Sequence, residues 1–198
     1  MPARKPSVPS GEMIGGCLYF PKPGPQNTGR TLEWAGVRAR EIGVANILVA
    51  TSSGATAVAA MRSFEPARLV AVTHSTGFGA PNVQELLPEN RSLLEAAGVR
   101  ILTAQHAFGG VGRAVRKKLG TYEVDEIMAF TLRVFGQGAK VAVEISLMAA
   151  DAGLVPGGEP CLAIGGTGTG ADTALLLRPA NAQTFFDLRV MEIVAKPR

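Results

Sequence analysis

Asn46–Phe64 reads NILVATSSGATAVAAMRSF, and its first half sets the fold class. Ile47–Ala50 is a short apolar run rich in branched residues, the pattern of a parallel strand buried on both faces. Thr51-Ser52-Ser53-Gly54 follows as a small hydroxyl-rich turn, and Ala55–Met61 consists of good helix formers. Ser52 or Ser53 is placed to cap that helix, and Gly54 to let the backbone approach a ligand closely. Unpaired N–H groups and the positive dipole end at a helix start favour an anion. The hydroxyls of Thr51, Ser52, Ser53 and Thr56 add donors for phosphate oxygens. The plain alternative is a capped strand-to-helix turn with no ligand.

Two further polar, glycine-bearing turns follow later strands. Arg68–Thr73 (RLVAVT) is a second strand of the same type, and it delivers His74-Ser75-Thr76-Gly77-Phe78-Gly79. A helix over Glu89–Ala97 closes at Gly98, and Val99–Thr103 forms a third strand ending in Ala104-Gln105-His106-Ala107-Phe108-Gly109-Gly110. Both histidines of the chain thus sit just past a strand, followed by a phenylalanine beside glycines. In open parallel sheets ligands bind outside the carboxyl ends of the strands. The structural alternative for each is a histidine satisfied within its loop.

Upstream, Ile14–Phe20 reads as a short strand, and Asn27-Thr28 can cap a helix from Arg30 to Ile42 that ends at Gly43. The middle third is helical: Gly112–Lys118, Val124–Val134, then Gly136–Asp151. The last is apolar around most of its circumference, so it is expected to be buried on several sides and to favour self-association. Lys140 lies one turn before Glu144, and Asp151 two turns after it. Lys140 reads as half of an ion pair. Glu144 reads equally as a paired carboxylate or as part of a polar seam reaching a ligand.

Cys161–Ile164 (CLAI) is a fourth strand, and its exit is Gly165-Gly166-Thr167-Gly168-Thr169-Gly170-Ala171-Asp172. The glycines miss the dinucleotide fingerprint by one place. A P-loop would need Lys and Ser or Thr where Ala171 and Asp172 stand. What remains is a flexible loop whose N–H groups can form an anion nest. Thr173–Leu177 and Phe186–Val194 then read as strands joined without a helical crossover, which implies an antiparallel pairing at a sheet edge.

At 198 residues with 46% hydrophobic, 18% charged and 24 glycines, the chain fits one compact α/β domain over 13–198, preceded by a disordered tail over 1–12. A net charge of +4 is modest and its basic residues are scattered, which argues against a nucleic-acid partner. No apolar run approaches the roughly 20 residues of a membrane span, and the N-terminus has no signal-peptide core, so no membrane partner and a cytoplasmic setting are expected. Cys17 and Cys161 have no metal-ligand spacing, and no metal is expected.

These stretches together resemble the pyruvate kinase C-terminal (alpha/beta) domain, and more closely the stand-alone proteins of that family in archaea and bacteria. VATSSGATA, VTHSTGF, HAFGGVGRAVR, TLRVFGQGAKVAVEISLMAADAG, IGGTGTGADTALLLRPA and EIVAKPR carry the resemblance over most of residues 14–198. It implies a three-layer α/β/α sandwich, with a mostly parallel sheet of about five strands and one antiparallel edge strand. In pyruvate kinase the Thr/Ser-Gly turn holds a sugar phosphate, and some stand-alone relatives carry flavin mononucleotide (FMN). Pyruvate kinase chemistry itself sits in a (β/α)₈ barrel of roughly 250 residues, longer than this chain, so that activity is not expected.

Two function classes follow. The first is a binding protein for a phosphorylated small molecule, FMN or a similar nucleotide. Thr51, Ser52, Ser53, Gly54 and Thr56 then hold the phosphate. Thr73, His74, Gly77, Phe78 and His106 line the ligand body, and Gly165, Gly166, Thr167 and Gly168 close the far side. The second is an enzyme using the same pocket, with His74 or His106 as general acid/base. A homo-oligomer is expected in either case, and a purely structural protein is the third reading.

Overall fold

In the computed structural model, residues 16–198 are described; the expected tail over 1–12 and the start of the Ile14–Phe20 strand lie outside them. Seven strands form one sheet: β1 (Leu18–Phe20), β2 (Asn46–Ala50), β3 (Leu69–Thr73), β4 (Arg100–Thr103), β5 (Cys161–Gly165), β6 (Thr173–Arg178) and β7 (Arg189–Pro197). Their order is β1-β7-β6-β5-β2-β3-β4. β5, β2, β3 and β4 are mutually parallel, and β6 runs antiparallel to both β5 and β7. The sheet therefore extends past the five expected strands: β7 lies beyond β6, and short β1 pairs parallel with it at the border. Every residue of β3 and β5 is buried, as strands covered on both faces require.

Helices α1 (Thr28–Ile42), α2 (Ala55–Ala60) and α3 (Pro88–Ala96) cover one face. Leu32, Ala35 and Ala39 of α1, Ala57 of α2 and Leu94 of α3 pack there on Ile47, Val49, Leu69, Ala71 and Ile164. The opposite face carries α4 (Gly110–Leu119), α5 (Val124–Arg133) and α6 (Gln137–Asp151). Ala142, Val143, Leu147 and Ala149 of α6 meet Leu48, Val70, Cys161, Ala163 and Leu175. This is the three-layer α/β/α sandwich. α6 is buried on nearly all sides, so its apolar circumference is spent inside the molecule and leaves no face for self-association.

Gly43 closes α1 at φ 69°, the left-handed turn that glycine adopts without a side-chain clash. A short 3₁₀ segment occupies Ala182–Asp187, so the last strand begins later than its loose alternation indicates. Arg38 of α1 grips Glu192 of β7 through two hydrogen bonds of 2.9 and 2.8 Å, tying the first helix to the far side of the sheet. No helix among the described residues is long and apolar enough to cross a membrane.

The chain leaves β2 in one direction, through β3 to β4, and later adds β5 on the other side of β2. That reversal creates a crevice beyond the carboxyl ends of β2 and β5.

Candidate functional site

A cavity of about 640 Å³ opens at this reversal. Thr51, Ser52, Ser53 and Thr56 line it from the β2–α2 turn, and Thr73, His74 and Phe78 from the segment after β3. His106 enters after β4, and Gly166, Gly168, Thr169 and Gly170 after β5. Four loops remote in sequence are gathered because their strands point the same way. Of the residues the sequence nominates, Gly54, Gly77, Gly165 and Thr167 are not on the cavity wall.

Gly54 does a different job from the close ligand approach its position suggests. It has φ +94°, and a Cβ there would stand 2.6 Å from Cβ of Asn90 and 2.7 Å from Cδ1 of Leu86. The glycine admits α3 and its lead-in, and Asn90 then donates to the carbonyl of Ser53 at 2.9 Å. Gly54 is itself the residue capping α2; its N–H donates to Thr51 Oγ1 at 3.1 Å, and Ser53 Oγ accepts from Ala55 at 3.4 Å. Gly165 is closed in by α6, since a Cβ would meet the carbonyl of Gly138 at 2.7 Å. Asp172 turns away from the crevice into the core, where it accepts from the N–H of Gly24 at 3.0 Å and from Thr173 Oγ1 at 2.8 Å. Its carboxylate therefore does not oppose an anion in the cavity.

The segment between β3 and α3 is tied down along its length. Gly77 donates to Val83 O at 2.9 Å, Gln84 Nε2 to His74 O at 3.1 Å, and Leu87 to Ser53 O at 3.2 Å. The glycine-bearing segment after β3 is thus held by hydrogen bonds at several points along its length. Its main product is the setting of His74. Nδ1 of His74 lies 2.7 Å from Oε2 of Glu85, and Nε2 lies 3.4 Å from Oγ of Ser52.

Three rings pack together over the mouth. His74 and Phe78 are 4.2 Å apart between centroids, Phe78 and His106 4.6 Å, and His74 and His106 5.1 Å. The Arg113 guanidinium lies over Phe78 at 4.8 Å. Burial pushes the His106 imidazole down to about 4, outweighing the nearby Glu144 carboxylate, while His74, Lys140 and Arg113 push the same way. At neutral pH His106 is therefore an uncharged ring, fit to hydrogen-bond or stack and unable to serve as a reservoir acid.

The other wall comes from α4, α5 and α6, where the sequence pattern nominates only Glu144. Arg113, Arg133, Gln137, Lys140 and Glu144 line it beside Val141, Ile145 and Met148. Lys140 and Glu144 form an ion pair with almost no exposure, and Glu144 Oε1 also accepts the N–H of Phe108 at 3.0 Å. Burial lowers the Lys140 ammonium, with Glu144 opposing that shift. Glu144 is thus a paired carboxylate that also lines the cavity. Asp151 takes no part, since it accepts from Ala182 and Asn181 at the far end of α6. The i,i+4 spacing made the Lys140–Glu144 pair readable; Arg113, Arg133 and Glu85 carried no local signal.

A sheet reversal with helices on both faces, and a crevice beyond the carboxyl ends of its parallel strands, defines an open α/β fold. The family model described as pyruvate kinase, alpha/beta domain, matches residues 30–177, and the chain belongs to that family. Among solved structures, the chain is similar to an NH3-dependent NAD synthetase from Campylobacter jejuni subsp. jejuni NCTC 11168, in complex with the nitrate ion. The identity is 11% and the TM-score 0.38, over 69% of this chain and 54% of that one. The chain thus spans about half the length of that synthetase.

Proposed function

We propose that the cavity binds a phosphorylated small molecule, FMN or a similar nucleotide, and that this chain is a binding protein and not a pyruvate kinase. One observation carries the reading: a hydroxyl turn and three cationic side chains face one cavity that also presents the aromatic and aliphatic side chains of Phe78, Val72, Val141, Ile145 and Met148. Among the charged lining groups, Glu144 is neutralised by Lys140, so Arg113 and Arg133 leave the wall net positive. Thr51, Ser52, Ser53 and Thr56 offer donors to phosphate oxygens. Phe78, His106, Val141, Ile145 and Met148 suit a flat, largely apolar body. The donors and the apolar wall fit FMN on those grounds.

The reading includes a homo-oligomer and a cytoplasmic setting, the latter supported by the unbridged thiols of Cys17 and Cys161. A small-molecule enzyme with a histidine acid/base is the second reading, favoured by His74 facing both a hydroxyl and a carboxylate.

Calorimetric titration with FMN, riboflavin and inorganic phosphate tests the first reading. FMN binds more tightly than riboflavin, and Arg113→Ala or Arg133→Ala weakens FMN by about 10- to 100-fold, the scale of one charged hydrogen bond. Equal affinity for FMN and riboflavin, or indifference to both arginines, removes the phosphate assignment.

A further inference from the structure

We propose that Ser52, His74 and Glu85 form a nucleophile–base–orienter set, and that the chain hydrolyses small carboxylic esters held in the cavity. The proposal rests on the cavity's being a ligand site, and it goes beyond binding to a reaction.

Ser52 stands two residues past the end of β2, and His74 directly past β3, the strand beside it. Parallel pairing of these strands brings the two side chains to one edge of the sheet. Glu85 comes back from the far end of the β3–α3 segment, where the hydrogen bonds of that segment hold it. The carboxylate at 2.7 Å accepts only from a protonated Nδ1, so it fixes the tautomer in which Nε2 carries the lone pair. That lone pair faces Ser52 Oγ at 3.4 Å, a contact that tightens once substrate closes the site. Such a set is recognised by geometry and roles, whatever the chain order of its members.

Ser52 and His74 line the cavity, so a bound carbonyl can reach Oγ. His74 and Glu85 keep 28% and 35% of their side-chain surface exposed, enough for water to follow the first product into the site. Arg113 and Arg133 on the same cavity supply the positive field in which a carbonyl oxygen gains negative charge.

The chemistry balances with water as co-reactant. Ser52 Oγ bonds to the ester carbonyl carbon while its proton passes to His74 Nε2. The C–O bond to the leaving group breaks, and that alcohol takes the proton from His74. Water then attacks the Ser52 ester and gives up a proton to His74, and the acid departs as Oγ is reprotonated. Glu85 is a positioning residue throughout, holding the ring and stabilising the imidazolium.

The test uses the whole chain with p-nitrophenyl acetate, and with a fluorophosphonate that traps activated serines. Neither probe needs a phosphate site, so anion binding can fail while this chemistry stands. The expected result is stoichiometric modification at Ser52 by peptide mass analysis, absent in Ser52→Ala, together with turnover of the ester. His74→Gln slows labelling and hydrolysis by about 10²- to 10⁴-fold. Glu85→Gln lowers the rate and changes its pH profile, and Glu85→Asp restores both in part, which a merely structural role would not produce. Ser52 left unlabelled in the unaltered chain overturns the proposal without any variant having to fold. So does labelling that survives in a folded His74→Gln protein.

Discussion

At His106 burial overrides a carboxylate, and the consequence reaches stability. Its imidazole lies near 4 in the folded chain against an ordinary 6.5. Between those values the unfolded chain holds a proton that the folded one lacks. Stability therefore rises as pH climbs from about 4 to 6.5 and is lost on acidification through the same window. The full extent is about 3 kcal/mol at 1.36 kcal/mol per unit. His106→Gln removes that slope, and urea midpoints of parent and variant across the window display it, because the other titrating groups are common to both. Parallel curves would show that His106 is solvated. At this scale the hydroxyl turn and both histidines were legible in the sequence, since each belongs to a local strand-exit pattern. Glu85, Arg113 and Arg133 were not. Each sits in an ordinary helix or loop, and only the folded crevice brings Glu85 to His74 and sets Arg113 and Arg133 on the cavity wall.

At the scale of the element, the β2–α2 turn shows how a local rule can be right for another reason. A glycine after Ser-Ser was readable as a backbone needing freedom, and φ +94° bears that out. The need arises from α3, fixed by packing over more than thirty residues of sequence, which no local pattern announces. Gly54→Ala therefore costs about 2–4 kcal/mol, combining left-handed strain with overpacking against Asn90 and Leu86. Chemical denaturation measures it, and an unchanged midpoint with unchanged slope would mean that α3 yields freely. A charged replacement such as Gly54→Asp disturbs the fold before it reports on any phosphate. The strands were legible because burial on both faces makes continuous apolar runs. β7 was misplaced by about three residues because its half-exposed, bulged pairing blurs the period.

For the whole molecule, the apolar surface that a partner would cover lies on α4 and α5 and not on α6. The sequence pointed to α6 because an all-round apolar helix needs cover, and the sheet together with α5 supplies it. The outer layer instead exposes Val111, Leu119, Tyr122, Val124, Ile127, Phe130, Val134 and Phe135, with Val134 at 81%. Such a concentration on α4, α5 and the residues that join and follow them is more than the scattered apolar exposure of an ordinary monomer. Arg113 and Arg133, which line the cavity, lie on these same helices, so association through this face would steady the cationic wall. The expected outcome is a self-associated chain in sedimentation velocity, with Ile127→Glu plus Phe130→Glu shifting it to monomer. Both side chains are about half exposed in the isolated chain, so the pair should alter its folding stability by no more than about 1 kcal/mol. FMN affinity measured on the same double variant joins the two levels: it falls if the wall depends on the partner. An unaltered chain that sediments as a monomer at the concentrations used for titration would defeat the assignment of this face.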